Sequence, residues 1–238
     1  MARQTTYEFF ATCAKGAEKV LAQELTALAG QGDGASVPRT PVRHLPRPPV
    51  SNDARTRATA VRRLRIRPLN SGVAFFGTLE DAYRALLHLF CASRVLLVLG
   101  RGDAEDADGL YSFVRSLPWE EHVPSTGTIA VDARGTNEGL RDTRFVAQKV
   151  KDAVCDRLLE LCGKRPSVEK NRPDVRLNVT LRGSRVTVAL DLAGEPLHRR
   201  GYRVPSPAIV APLRETLAAT MLMASGWTRR WGDGENGR

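Results

Sequence analysis

The sequence predicts an α+β fold, and three observations lead to this prediction. Short segments in which polar and apolar residues alternate are typical of strands with one buried face. Between them lie segments whose apolar residues recur every three or four positions, which is the spacing of an amphipathic helix. In the first hundred residues these elements follow the order strand, helix, strand, strand, helix, strand, and this is the order of a split βαβ, or ferredoxin-like, unit.

Each element of the first half has its own signal. Residues 7–13 alternate as a strand, and the helix after them has a single apolar face made of Ala17, Val20, Leu21, Leu25 and Leu28. Two further strands are predicted at 64–67 and 73–76, and Thr78 is placed to cap a second helix that has carboxylates in its first turn. The buried face of this second helix is predicted to be Leu79, Tyr83, Leu86, Leu87 and Phe90. Residues 94–99 form the last predicted strand.

Residues 31–60 interrupt this order. They are rich in proline, glycine and arginine and contain few large apolar side chains, so burial cannot offset the entropy lost on ordering. We predict a disordered insertion here. Arginine-rich segments of this kind can fold on nucleic acid.

The second half begins with an acidic segment, 100–108, which we predict to be a solvated linker because it lacks the spaced oxygens, central glycine and distal glutamate of an EF-hand calcium loop. A short helix at 109–117, an anchoring Trp119 and a strand at 128–134 follow. A helix from about 141 to 161 comes next, and its predicted core-facing stripe is Ala147, Val150, Val154, Leu158 and Leu161.

Residues 175–192 carry the clearest pattern in the chain. Two runs of strict alternation are separated by Gly183 and Ser184, which predicts a β-hairpin with one buried and one polar face. Its apolar series is Val175, Leu177, Val179, Leu181, Val186, Val188, Leu190 and Leu192.

Charge is distributed unevenly along the 238 residues, whose net charge is +10. Residues 141–203 hold fifteen Lys/Arg against eight Asp/Glu, and the regular apolar spacing there places this charge on one side. Such a surface favours a polyanionic partner, although for the helix alone an ordinary solvated face is the alternative interpretation. Guanidinium groups pair with phosphate oxygens and rings stack on unpaired bases. We therefore predict RNA contacts from Arg141, Arg144, Lys149, Lys151, Arg176, Arg182, Arg199, Arg200, Tyr202 and Arg203.

Other classes of protein are disfavoured. No apolar run approaches the length needed to span a bilayer, and the N-terminus lacks the pattern of a secretory signal, so we expect a cytoplasmic chain without a membrane partner. The cysteines form no CxxC pair and the histidines are scattered, so neither a disulfide framework nor a zinc site is predicted. We expect the four thiols, Cys13, Cys91, Cys155 and Cys162, to be buried.

Several segments together resemble a known family. They are FVAQKVKDAV from Phe145, PDVRLNVTLRG from Pro173, VALDLAG from Val188, PLHRRGYR from Pro196 and APLRETLAA from Ala211, with FFATCAKGAEKVLAQEL and SGVAFFG nearer the N-terminus. They closely resemble the N-terminal part of bacterial 23S ribosomal RNA guanine-N2-methyltransferases. The resemblance covers nearly the whole chain except residues 31–60 and about the last ten.

The resemblance implies a ferredoxin-like subdomain over residues 1–100 and a THUMP domain, an RNA-binding α/β fold, over 101–203. Residues 204–238 would then be a connector and the start of a Rossmann-type methyltransferase domain. By this likeness the chain is the RNA-positioning part of an enzyme that uses S-adenosylmethionine and acts on 23S ribosomal RNA. The catalytic domain would be supplied in cis or in trans.

The sequence lacks the motifs that hold S-adenosylmethionine in that class, namely a glycine-rich strand-to-helix turn and an Asn/Asp-Pro-Pro-Tyr loop. Gly232, Gly234 and Gly237 spell GxGxxG, but the sequence stops one residue later, without a helix to bind a cofactor. We expect this chain to bind no cofactor or metal and to be inactive alone. Two alternatives stay open: a THUMP module of a transfer-RNA-modifying enzyme, and a truncated product without independent activity.

Overall fold

The computed structural model describes residues 5–30, 64–200 and 212–227. The predicted insertion at 31–60, together with Tyr202 and Arg203, lies outside the described residues. Within them the strands are β1 Tyr7–Thr12, β2 Arg65–Leu69, β3 Gly72–Gly77, β4 Arg94–Asp103, β5 Thr128–Arg134, β6 Ser167–Val168, β7 Val175–Arg182 and β8 Arg185–Asp191. The helices are α1 Glu18–Gly30, α2 Leu79–His88, α3 Ala107–Ser116, α4 Thr143–Cys162 and α5 Glu215–Ala224, with a 3-10 turn at Trp119–Glu121.

All eight described strands belong to one sheet, in the order β2-β3-β1-β4-β8-β7-β5-β6. The first four are antiparallel neighbours, and with α1 and α2 they form the predicted βαββαβ unit. In the second half β5 runs parallel to β6 and β7, while β7 and β8 form the predicted hairpin. The mixed α and β content of the prediction is confirmed.

The two halves are joined by antiparallel pairing of β4 with β8, in which Leu97 lies opposite Leu190. Both of these side chains belong to a single apolar core that also contains Leu21 of α1 and Val150 of α4. Helices of both halves therefore cover the same face of one continuous sheet.

Strand β4 is longer than predicted because it continues through Asp103, so the first part of the expected acidic linker is sheet. Two glycines let α3 lie close to this extension. A Cβ on Gly102 would stand 2.5 Å from Cδ2 of Phe113, and one on Gly100 would stand 2.6 Å from Cδ2 of Leu117. Trp119 is fully buried, and its indole nitrogen donates to the carbonyl of Val114 at 2.7 Å, so its anchoring role is confirmed.

Helix α2 begins as predicted, with a capping box between Thr78 and Asp81. Its predicted buried face is wrong, however. The helix packs through Ala82 and Ala85, because these small residues let it approach the sheet closely. Leu86 is partly buried against the core, whereas the other four predicted residues are exposed: Leu79, Tyr83, Leu87 and Phe90.

The predicted stripe of α4 is correct only at its centre. Val150, Val154 and Leu158 are fully buried, but Leu161 is 55% exposed and Ala147 lies at the edge of a groove. The helix packs against both α3 and β5, so its buried face is wider than one stripe and also includes Val146, Ala153 and Cys155. Cys162 is exposed, contrary to prediction, while the other three cysteines are buried. No helix in the described ranges is long and apolar enough to cross a bilayer.

Candidate nucleic-acid interface

A groove lies between β5 and the first turns of α4. It has a volume of about 360 Å³ and is lined by Val131, Asp132, Ala133, Arg134, Thr143, Arg144 and Ala147. The helix begins here with Asp142 as N-cap, whose carboxylate accepts a hydrogen bond from the backbone N–H of Arg144 at 2.8 Å. Arg134 and Arg144 thus line a groove at the positive end of the α4 dipole, which favours an anion.

The loop between β5 and α4 is fixed by contacts with its neighbours. Gly135 has a φ of +81°, and a Cβ there would collide with the backbone carbonyl of Leu181. The Asn137 side-chain amide donates to the carbonyl oxygens of Ala104 at 2.9 Å and Gly183 at 3.3 Å. Leu140 is fully buried and anchors the end of the loop. The start of α4 is therefore held against the turn of the β7–β8 hairpin.

The hairpin turn brings further arginines to the same place. Arg182 and Arg185 are cross-strand partners at the end of the hairpin, and the Ala104 N–H donates to the Ser184 carbonyl in the turn at 2.7 Å. We call the resulting cluster the basic edge. It consists of Arg134, Arg141, Arg144, Arg182 and Arg185, all of them exposed.

One carboxylate is close to the basic edge in register, because Asp103 of β4 lies directly opposite Arg185 of β8. Arg141 donates through Nε to the backbone carbonyl of Glu138 at 3.0 Å. Across residues 5–30, 64–200 and 212–227, none of the five forms an ion pair. Exposed arginine forks of this kind are suited to phosphate oxygens.

Three other predicted cations already have acidic partners. Lys149 lies 3.9 Å from Asp108 and over the ring of Tyr111. Lys151 contacts Asp152 at 2.7 Å. Arg176 contacts Asp132 at 3.1 Å and also donates to the carbonyl of Lys170. Their RNA contacts stay predictions, but an RNA phosphate would have to compete with these partners.

Two of the arginines predicted to contact RNA, Arg199 and Arg200, follow β8, and their surroundings differ. Arg199 is exposed. The Arg200 guanidinium instead donates to the carbonyl oxygens of Leu86, Leu87, Leu89 and Leu197 at 2.7 to 3.0 Å. Burial, aided by the nearby charge of Arg214, lowers the pKa of His198, which favours its neutral form.

Sequence reasoning missed three residues of this region. Arg134 and Arg185 belong to the basic edge, and Phe145 in the first turn of α4 is 42% exposed. The pairing of Arg185 with Arg182 could have been found from the two-residue turn, because that turn fixes the hairpin register. Arg134 had no such signal, since its place beside α4 depends on the fold of the loop.

In comparisons with known proteins, each half of the chain matches a known domain family. The family model of the THUMP domain matches residues 104–191, and that of the RlmL ferredoxin-like domain matches residues 8–37 and 62–96. The chain therefore carries a THUMP domain behind a ferredoxin-like domain. The resemblance predicted from the sequence motifs is confirmed.

The relatives and solved structures agree with this assignment. The ribosomal RNA large subunit methyltransferase K/L of Syntrophotalea carbinolica is 40% identical over 92% of this chain, which is 26% of that relative. The chain corresponds to the N-terminal part of such relatives and spans about a quarter of their length. A predicted N6-adenine-specific DNA methylase from Listeria monocytogenes shares the fold, with a TM-score of 0.70 and 24% identity over 94% of this chain and 49% of its own. A putative methyltransferase complexed with SAH has a TM-score of 0.67 and 22% identity over 95% of this chain and 50% of its own.

Proposed function

We propose that this THUMP chain binds 23S ribosomal RNA through the basic edge and positions it for guanine-N2 methylation. The observation that carries the proposal is the convergence of five exposed arginines from β5, the loop, α4 and the hairpin within the THUMP half, none of which forms an ion pair in the described part of the chain. The name of the relatives, ribosomal RNA large subunit methyltransferase, supports ribosomal RNA as the polyanion.

The chemistry of the basic edge fits the backbone of RNA better than base edges. Guanidinium groups carried on several elements can follow the phosphates of a folded RNA, whose helices are recognised by shape and by backbone contacts. The start of α4 adds the partial positive charge of a helix N-terminus, reduced locally by the capping carboxylate of Asp142. Recognition of this kind positions an RNA without selecting a base.

The catalytic part of the proposal lies outside the described surface. We place S-adenosylmethionine and the reacting guanine on a methyltransferase domain acting in cis or in trans. The support for this placement is that the relatives bear the methyltransferase name over lengths of which this chain spans about a quarter.

The test is RNA affinity measured against salt concentration. A transcribed fragment of 23S ribosomal RNA is titrated with the wild-type chain, with Arg134→Glu/Arg144→Glu, and with the matched reversal Lys15→Glu/Lys19→Glu, whose exposed lysines lie before and on α1. Arg134→Glu/Arg144→Glu is expected to bind at least tenfold more weakly. Its plot of log binding constant against log salt concentration is expected to have a slope shallower by roughly one to two. The α1 variant is expected to keep most of the affinity.

Equal losses in the two variants would show that only net charge matters, and the assignment to the basic edge would be wrong. A wild-type chain that fails to bind the fragment would remove the proposal altogether. Transfer RNA serves as competitor. If it displaces the fragment at equal concentration, the restriction to ribosomal RNA is wrong.

A further inference from the structure

The ferredoxin-like half has a second sheet face that none of the described helices covers. Strand residues alternate between faces, and Phe9, Phe75 and Leu97 point into the core with α1 and α2. Their neighbours point the other way and are outside that core cluster. We call this the open face, and it consists of Glu8, Phe10, Arg65, Arg67, Ala74, Phe76, Leu96 and Val98. Ala74 and Leu96 are buried beneath the surrounding side chains, and the other six are partly or fully exposed.

Two phenylalanines, Phe10 and Phe76, lie on the open face. Phe10 of β1 is opposite Ala74 of β3, and Glu8 is opposite Phe76, so the two phenylalanines are diagonal neighbours, about 7–8 Å apart between backbones. The Phe10 ring extends above Gly72, on the side of Ala74 that faces away from Phe76, and a Cβ on Gly72 would stand 2.5 Å from the Cζ atom of Phe10. The two rings are therefore separate platforms on one face. Both rings are partly exposed.

Around these rings the acidic side chains are held in ion pairs, whereas two arginines are not. Glu8 is paired with Arg101 at 2.5 Å, and Asp191 on the adjoining β8 is paired with Arg94. The negative charges here are thus neutralised. On edge strand β2, Arg65 and Arg67 are exposed and form no ion pair within the described part of the chain. The Arg65 guanidinium lies over the Phe76 ring, 5.5 Å from its centre, so a base that stacks on this ring would displace the guanidinium towards the phosphate.

We propose that the open face is a second RNA site, which takes a single-stranded segment with one base stacked on Phe10, one on Phe76, and phosphates beside Arg65 and Arg67. Aromatic rings exposed on the face of an antiparallel sheet are a known means of binding unpaired bases. A paired base inside a helix cannot present its face to a ring. The open face therefore selects single strands, whereas the basic edge contacts backbone.

This inference rests on the proposed RNA-binding function and deepens it. The RNA would be held at two points of one sheet, by its phosphates at the basic edge and by unpaired bases at the open face. The charge of the open face favours single-stranded RNA over a protein partner. Its carboxylates are already in ion pairs, so the charge that remains beside the rings is the positive charge of Arg65 and Arg67. A folded protein covering this face would leave Arg65 and Arg67 to be paired or desolvated.

The test uses a ten-nucleotide RNA carrying 2-aminopurine, whose fluorescence falls when the base stacks, offered as a single strand and as a duplex. The variants are Phe10→Leu, Phe76→Leu and Arg65→Gln/Arg67→Gln in the full chain. Tyr83→Leu is the matched control, because it removes a 55% exposed ring from α2 on the helical side. Leucine keeps most of the apolar volume, and thermal unfolding checks that each variant folds.

Wild type is expected to quench the single strand and to bind it better than the duplex. Each phenylalanine variant is expected to weaken single-strand binding by about fivefold or more and to reduce the quenching, while Tyr83→Leu changes neither. The arginine variant, which leaves both rings in place, is expected to lower affinity with a shallower salt dependence and to retain quenching at saturation.

Unchanged affinity and quenching in both phenylalanine variants would overturn the second site, as would absence of single-strand binding by wild type. If binding of the 23S fragment still depends on Arg134 and Arg144 in that case, the proposed function stands without the open face. Concentration-dependent self-association that is lost in Phe10→Leu would assign this face to a second copy of the chain instead, and would also overturn the inference.

Discussion

Arg199 and Arg200 are adjacent in the sequence, yet their side chains have different surroundings. Carbonyl groups at the end of a helix lack intrahelical partners, and Arg200 satisfies those of Leu86, Leu87 and Leu89 at the end of α2. Arg200→Lys is expected to lower the free energy of unfolding by about 1–3 kcal/mol, because lysine cannot reproduce the planar fork of donors. Urea unfolding measures this loss.

The matched variant is Arg199→Lys, which is expected to leave stability unchanged. RNA affinity, measured where both variants are fully folded, separates structural from binding roles. If Arg200→Lys weakened RNA binding without changing stability, Arg200 would act as the sequence predicted, and the structural role assigned from its carbonyl contacts would be wrong.

The sequence could predict which arginines lie on the polar face of the hairpin, but not which of them are already held in ion pairs. Alternation along β7 predicted that Arg176 and Arg182 share one face of the hairpin, and the registers with β5 and β8 agree. It could not predict that Asp132 on β5 would occupy Arg176 and leave Arg182 exposed. That difference depends on which strand becomes the neighbour, and local sequence does not contain this information.

At the scale of elements, the close packing of α3 on β4 requires that position 102 be glycine, which has no side chain. The Phe113 ring occupies the space where a Cβ of Gly102 would be, with three ring atoms between 2.5 and 2.9 Å from that position. Gly102→Val is expected to lower the free energy of unfolding by about 1–3 kcal/mol through overpacking. Combining it with Phe113→Ala should cost less than the sum of the single changes. Additive losses in urea unfolding would show that the two residues do not share this space.

A second element-level contact joins α4 to the 3-10 turn and makes stability depend on pH. Two hydrogen bonds from Arg157, at 2.9 and 3.0 Å, lower the pKa of Glu120 to about 2. A carboxylate with a lowered pKa in the folded state stabilises the fold above its unfolded pKa of about 4.5, and this contribution is lost as the pH falls towards 2. Because Glu120 is exposed, the effect is expected to be small.

The expected change on Arg157→Lys is a rise in the pKa of Glu120 towards its ordinary range, followed by carboxyl-carbon NMR as a function of pH. The decline in stability between pH 4.5 and 2.5 should also become shallower. A Glu120 titration curve that is identical in wild type and variant would show that the bidentate contact is not formed in solution.

Element order and strand faces could be predicted well, because a period of two is unambiguous when one face is buried. Helix faces were harder. In α2 the large apolar residues suggested the buried face, but close packing on the sheet selected Ala82 and Ala85 instead. In α4, contacts on two sides widened the buried face beyond a single stripe. Both errors arise from tertiary neighbours, which periodicity alone does not specify.

At the scale of the molecule, the sequence suggested two successive units, and their boundary near residue 100 stays a prediction. What local patterns could not show is that β4 pairs with β8, about ninety residues further along the chain. This pairing makes one sheet and one core out of two domains of different families. The open face and the basic edge consequently lie on one rigid framework, and their separation is fixed by the strands between them.

A shared core implies that the two halves unfold together. Leu21 of α1 is fully buried in the ferredoxin-like half, and Leu21→Ala is expected to remove about 2–5 kcal/mol of stability by leaving a cavity. If the sheet unfolds as one unit, hydrogen exchange should become faster by the same factor in the central amides of β1 and in those of β7, which lies in the THUMP half. Exchange followed by mass spectrometry under conditions that report global opening measures both. Leu158→Ala, in α4, is the reciprocal variant and should accelerate exchange in β1 as well. Faster exchange confined to the mutated half would show that the pairing of β4 with β8 does not couple the domains, and the two proposed RNA sites would then move independently.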